Sequence, residues 1–376
     1  MTQSARDGGD VAILGAGLIG LALAFVLAER GSTVRVFDPG QPAKAASWAG
    51  AGMLAPLTEG IEDAAMQTLC EASLAQYPAF VRRVRDASSI DPHLRLDGIL
   101  RAAFSAEAFA ELQSRAGELC AAGHHCDIQD RDRTLALEPA LGKHVHGSLL
   151  VEGEGQIDNR RLGRALAAAC ESLGVVIQAG ARDIVVEADA RRVLGVRSEV
   201  GFVAAGSIVN AAGAWASCIA GVPESCVPPV RPVKGQMLAL SIPRGFVRRT
   251  TWVPGAYMVP REDGRLLVGA TVEEGGYDTR VTAGGLHELL DAVVSAAPAL
   301  AGFTVSETWA GLRPGSRDGR PFLGRTQLEG YFLAAGHYRN GILLAPATAE
   351  LLADALQGIA SEAIVPFELT NARGEA

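Results

Sequence analysis

From position 11 to position 28 every residue is apolar or glycine, with no charge to interrupt the run. A stretch of that length raises the question of a membrane span. Its internal order points instead to a strand turning into a buried helix. The first four residues, Val11 to Leu14, form a short run with β-branched members and predict a strand. Three glycines follow, Gly15, Gly17 and Gly20. The stretch 18–30 then carries a helix, which Gly31 is placed to stop. A second strand is predicted over 34–37, ending at Asp38.

Further along, 45–52 is made of small residues around Trp48, and helical spacing continues to about residue 86. A strand is predicted over 97–104 and a helix over 106–122. Asp158 stands where an N-cap would, before a helix reaching Leu173. Alternation over 175–209 predicts strands, with 187–192 as a polar turn. A second small-residue junction, 209–216, contains Gly213. The proline-rich stretch 223–232 predicts a crossing between domains. Short runs at 235–240, 250–253, 257–260 and 265–271 then read as an antiparallel sheet, the last two joined by the turn 261–264. A helix over 285–297 and a strand over 302–312 precede a glycine-rich tail.

At ~150 residues per domain, 376 residues allow two or three domains. The element order predicts an α/β protein of two discontinuous domains. Segments 1–85, 150–225 and 310–376 would form a Rossmann-like dinucleotide-binding domain. Segments 86–149 and 226–309 would form an inserted α+β substrate domain on a mostly antiparallel sheet.

A net charge of −8 argues against a nucleic-acid partner, which needs a basic face. Six cysteines show no CxxC and no metal-ligand spacing, and most of them read as buried small hydrophobes in a reducing compartment. His144 and His146 have no partner cluster, so no metal is expected. Residues 1–10 lack the basic character of a signal-peptide start, and a cytoplasmic location is expected, without membrane insertion. The sequence leaves a homo-oligomer open.

Chemistry concentrates at the two ends. Gly15 permits a tight turn, Gly17 a close backbone approach to a pyrophosphate, and Gly20 close packing of helix on strand. Helix N-terminal N–H groups then face the phosphates, and Asp38 is placed to accept from ribose hydroxyls. This separates a dinucleotide from no ligand, not NAD from FAD. The small residues of 46–53 suit either a flat ring lying over them or tight helix packing. At the other end, 336–350 repeats the logic of a glycine turn before a helix, with Asn340-Gly341 at the start. Its dipole would favour negative charge. Arg313 leaves an apolar strand before Pro314-Gly315, and a guanidinium there wants either a ligand carboxylate or a structural acid.

Four segments, 46–56 (ASWAGAGMLAP), 259–271 (VPREDGRLLVGAT), 311–324 (GLRPGSRDGRPFLG) and 336–350 (GHYRNGILLAPATAE), resemble the glycine oxidases. These are flavoenzymes of thiamine biosynthesis within the D-amino-acid oxidase and sarcosine oxidase superfamily. The resemblance spans 11 to about 356 and implies FAD-dependent oxidation of small amines, with molecular oxygen reduced to hydrogen peroxide. By motif match, Leu18, Ile19, Asp38, Pro39, Ala46, Ser47, Ala51, Gly52 and Met53 would contact FAD. Asp183 would lie on the adenine side, and Gly213 joins the cofactor contacts. His337, Tyr338, Arg339, Asn340, Gly341, Ile342 and Leu343 would line the flavin ring. Arg313 would pair with the substrate carboxylate, Tyr257 would add a hydroxyl, and Arg339 would also reach the substrate. Ala49 stands where related dehydrogenases carry a flavin-linking His, and no Cys follows Cys226, so the FAD would be non-covalent. Val272 and Gly255 replace a Met and a His of some glycine oxidases, which leaves the substrate range open. A dehydrogenase for D- or N-methyl amino acids with a non-oxygen acceptor, and a flavin-binding subunit of a larger complex, are the alternatives.

Overall fold

The apolar run near the start divides into strand Val11–Leu14 and helix Leu18–Glu29 in the computed structural model, which describes residues 11–369. The reading of 1–10 lies outside the described residues. The helix has no polar stripe because it has no solvent side. Every side chain from Leu21 to Leu27 is fully buried. The helix packs among Ala345–Leu356, Asn159–Ser172 and the strands beside it, as an all-apolar helix must. Among the described residues no helix is long and apolar enough to cross a membrane.

Two sheets organise the chain. The first has six strands in the order Phe322–Arg325, Tyr331–Ala335, Ser207–Asn210, Val11–Leu14, Val34–Asp38, Val176–Ala179. Its pairings are parallel except that of the first two strands. Its strands come from the beginning, middle and end of the chain. The second has eight strands in the order Thr304–Gly315, Arg231–Ser241, Arg265–Gly269, Ala256–Pro260, Thr250–Val253, Ile99–Ala103, Gly147–Val151, Cys126–Asp130. It is antiparallel apart from the pairing of Thr250–Val253 with Ile99–Ala103. A three-stranded antiparallel sheet, Val185–Ala188, Val193–Ser198 and Gly201–Ala204, is separate from both.

Three sequence expectations change. The strand expected over 235–240 runs from Arg231 to Ser241, because its whole length pairs with Thr304–Gly315, down to Arg231 opposite Gly315. The proline-rich crossing therefore ends earlier than 232. Its partner strand, expected to stop at 312, carries Arg313 inside the ladder rather than in a turn after it. In the tail, Tyr338–Asn340 is one 3-10 turn, and the α-helix starts only at Ala345. Pro346, with no N–H to lose, sits in that helix's first turn. The dipole end is thus set back from the glycine turn at 336–341.

Candidate active site

At the C-terminal end of the first strand, Gly15 has φ +112°, and a Cβ there would stand 2.3 Å from the Ala211 carbonyl oxygen. A Cβ on Gly20 would stand 2.0 Å from the Gly15 oxygen. The loop is therefore glycine by steric need. Asp38 closes it from the neighbouring strand: one carboxylate oxygen accepts from Ala16 N at 2.7 Å, the other from Gly40 N at 2.7 Å. The expected ribose acceptor is also the clasp of the loop. Pro39 follows Asp38 in chain, and Asp183 stands exposed just past the adjacent strand Val176–Ala179.

Ser47 joins this loop to the small-residue segment, its hydroxyl accepting from Leu18 N at 2.9 Å. The segment folds as a short helix, Ala46–Ala49, and then extends. Its carbonyls are tied from behind. Asn159 Nδ2 donates to the oxygens of Ser47 (2.7 Å) and Trp48 (3.1 Å). Trp309 Nε1 donates to Ala49 O at 2.9 Å, Arg261 to Ala51 O at 2.7 Å, and Ile157 N to Gly52 O at 2.8 Å. In a trans peptide the N–H points opposite its carbonyl. Anchoring the Ala51 and Gly52 oxygens behind the segment turns the Gly52 and Met53 N–H groups to its other side.

That other side faces a cavity of about 510 Å³ between the two sheets. The structure brings sixteen of the sequence-derived residues to its wall: Gly17, Leu18 and Ile19; Ala46 and Ser47; Ala51, Gly52 and Met53; Gly213; His337, Tyr338, Arg339, Gly341 and Ile342; Tyr257 and Arg313. Gly15, Gly20, Asp38, Pro39 and Asp183 are off this wall, at or beyond the glycine-loop end. Asn340 and Leu343 do not line it either. Leu343 packs into the main core, and its carbonyl accepts from Ser73 Oγ at 2.6 Å. His337 is buried with Nε2 3.1 Å from Thr348 Oγ1. Burial pushes its imidazole down to about 3, so it is neutral.

At the far end stands Arg313. Its Nη1 donates to the carbonyls of Lys234 (3.2 Å) and Thr271 (3.1 Å), which fix the guanidinium plane. No carboxylate pairs with it among the described residues. Gly235 makes room for it: a Cβ there would stand 2.4 Å from both terminal nitrogens. Beside it, the Tyr257 hydroxyl lies 3.3 Å from Met237 Sδ. Burial pushes this phenol up to about 12, with Arg313 pulling the other way, so it stays protonated and can donate. Arg339 also lines the wall.

Sequence reasoning missed the acids of the cavity wall, Glu59 and Glu111. Glu59 reaches the same wall, its carboxyl raised by burial against the opposing pull of Arg339 and Arg313. A lone acid in a turn carries no sequence signal. Its loop is held by Glu154, fully buried, which accepts from Leu57 N at 2.5 Å, from Thr58 N at 3.1 Å and from the Thr58 hydroxyl. Burial pushes Glu154 up to about 7. Among the described residues no cluster of His, Cys, Asp and Glu could hold a metal.

The glycine loop at one end, the small-residue segment with its carbonyls tied back, and the paired Arg313 and Tyr257 at the other fit a dinucleotide cofactor with a flat ring system. A family model described as FAD dependent oxidoreductase (DAO) matches residues 10–355. The bifunctional protein ThiO/ThiG of Synechocystis is 38% identical over 92% of this chain. The chain spans about half of that relative's length, 51%. The glycine oxidase of Pseudomonas putida is 35% identical, covering 93% of this chain and 94% of its own. The crystal structure of glycine oxidase from Geobacillus kaustophilus matches with a TM-score of 0.91 at 33% identity, over 96% of this chain and 98% of that one. The chain thus belongs to the FAD dependent oxidoreductase family, alongside the glycine oxidases, and FAD is its cofactor.

Proposed function

We propose that this protein oxidises glycine and other small amines, sarcosine and small D-amino acids among them, to the imine, which hydrolyses to the 2-oxo acid. Oxygen is reduced to hydrogen peroxide, and the imine feeds thiazole formation for thiamine. The observation that carries this reading is Arg313. It is a guanidinium held in place by two carbonyls, in no salt bridge among the described residues, inside the cavity that also contains the cofactor's loop. Its remaining N–H groups suit a bidentate carboxylate. The protonated Tyr257 hydroxyl adds a donor to the same carboxylate, and Arg339, on the wall of the same cavity, also reaches the substrate. Fixing the carboxylate in this way sets the position of the α-carbon.

FAD when bound supplies the electron acceptor. Gly15, Gly17 and Gly20 would take its pyrophosphate, Asp38 its ribose, and Gly52, Met53 and 337–342 its ring. Ala49 at the position of a linking histidine supports non-covalent binding. Free cysteines at 70, 120, 126, 170, 218 and 226 suit a cytoplasmic enzyme.

The test is anaerobic mixing of the yellow protein with glycine, sarcosine and D-alanine in turn, following the visible flavin band, then admitting oxygen and assaying peroxide. Bleaching by glycine or sarcosine, with peroxide on aeration, is expected. Bleaching without peroxide would move the protein to the dehydrogenases. No bleaching by any of the three would overturn the substrate assignment.

A further inference from the structure

Arg261 is a buried charge with no salt bridge among the described residues. It ends strand Ala256–Pro260 at a tight turn, closed by the hydrogen bond from Gly264 N to Arg261 O, where an exposed side chain is the ordinary outcome. Instead its guanidinium points inward and is buried. Its acceptors are all neutral: Gln156 Oε1 at 2.5 Å, Ala51 O at 2.7 Å and Asn159 Oδ1 at 3.0 Å. Two carboxylates act on it from further off, Asp158 and Asp263, and both face Arg265, at 3.9 and 2.7 Å. Burial brings Arg261 down to about 10, which leaves it cationic at neutral pH.

Its position gives that charge a direction. A Cβ on Gly52 would stand 3.0 Å from Arg261 Nη2. The guanidinium therefore lies directly behind Gly52, and the cavity wall lies in front of it. Through Ala51 O directly, and through Asn159 to Ser47 O and Trp48 O, Arg261 also anchors the peptide planes of 47–52. A buried cation without a hydrogen-bonded counter-ion costs desolvation energy. Peptide anchoring alone would be served by a neutral amide.

We infer that Arg261 is a positioning residue for the cofactor, and that its charge, hydrogen-bonded to neutral acceptors behind the Gly52 peptide of the cavity wall, raises the reduction potential of the bound flavin. Two-electron reduction adds negative charge to the ring, and a fixed cation in a water-excluded site stabilises that charge.

The experiment measures the flavin midpoint potential of the FAD-loaded protein by equilibration with reference dyes, with FAD retention and Tm recorded alongside. Two variants remove the charge differently. Arg261→Met deletes it. Gln156→Glu keeps the arginine and places an anion where its amide acceptor now sits. In each, the equilibrium constant for two-electron reduction should fall about tenfold or more, read as a midpoint lower by ~30 mV. Arg261→Lys keeps the cation and should hold the midpoint near the wild-type value while loosening FAD. If Arg261→Met does not fold, Gln156→Glu decides alone. A midpoint unchanged in Gln156→Glu overturns the inference, whatever happens to Tm. The inference rests on FAD as the cofactor and not on the amine. A wild-type protein that fails to bleach with amines would count against the proposed substrate and leave this comparison standing.

Discussion

Gly235 lies where a single methyl group would test the carboxylate site without touching the arginine itself. Gly235 sits in the middle of strand Arg231–Ser241, opposite Gly311, with a φ that any residue can adopt. Gly235→Ala therefore costs the backbone little. The added Cβ, however, would lie 2.4 Å from both terminal nitrogens of Arg313 and 2.6 Å from its central carbon. The guanidinium must move, giving up its bonds to Lys234 O and Thr271 O and with them the alignment proposed for the substrate carboxylate. A hydrogen bond to a charged group is worth about 1.5–3 kcal/mol, and a tenfold change is about 1.4 kcal/mol. KM for glycine should rise roughly 10- to 150-fold, with FAD content and Tm near wild type. The assay is steady-state oxygen uptake with a peroxide-coupled check, backed by the Kd of a small carboxylate inhibitor read from the flavin spectrum. Gly275→Ala is the control, since its Cβ would meet only Lys234 Cδ at 4.0 Å. If Gly235→Ala binds FAD and keeps its KM, Arg313 does not hold the carboxylate.

Gly52→Ala should give a colourless protein, because φ +71° and an approach of 1.9 Å to Ile157 O leave no room for a side chain; a normal FAD content on purification would contradict this. Tyr257→Phe should lower kcat/KM by about tenfold, the worth of one donor. No basic limb in the pH profile between pH 7 and 10 should vanish with it, since the phenol titrates near 12. Glu154 gives a stability signature. Its folded value of about 7 lies above the ordinary 4.5, so the folded state holds a proton that the unfolded state has lost. Stability should therefore fall as pH rises from about 4.5 to 7 and level off above, by roughly 3 kcal/mol in total. Glu154→Gln should remove that slope in Tm against pH, and a slope unchanged in the variant would assign it elsewhere.

Local chemistry was legible where a residue type has one job. Gly15 read as a tight turn and Gly20 as close packing of helix on strand, and each proves to have a backbone oxygen within 2.3 Å of the missing Cβ. Asp158 announced a helix start, and its carboxylate caps Arg161 N at 2.9 Å. What depends on distant partners was not legible. Tyr331–Ala335 has the continuous apolar character of a strand buried on both faces, which periodicity alone does not assign. Arg313 read as leaving its strand, because the partner that extends the ladder lies some eighty residues earlier. Arg261 read as a polar turn residue. Nothing in 259–271 indicates that Gln156, Asn159 and Ala51 converge on it.

The six-stranded sheet also sets a timetable. Its central strand Val11–Leu14 pairs with Ser207–Asn210, which in turn pairs with Tyr331–Ala335. A ribosome makes the first of these early and the last nearly at the end. Through most of synthesis the opening strand and its all-apolar helix have no finished surface to lie against, since Ala345–Leu356 has not yet emerged. Domains usually fold as units in the order they are made. Here the eight-stranded sheet is all synthesised before the six-stranded sheet that brackets it in sequence can close. Nascent chains released before residue 335 should therefore be dependent on chaperones and unable to retain flavin, even with the whole glycine loop in place.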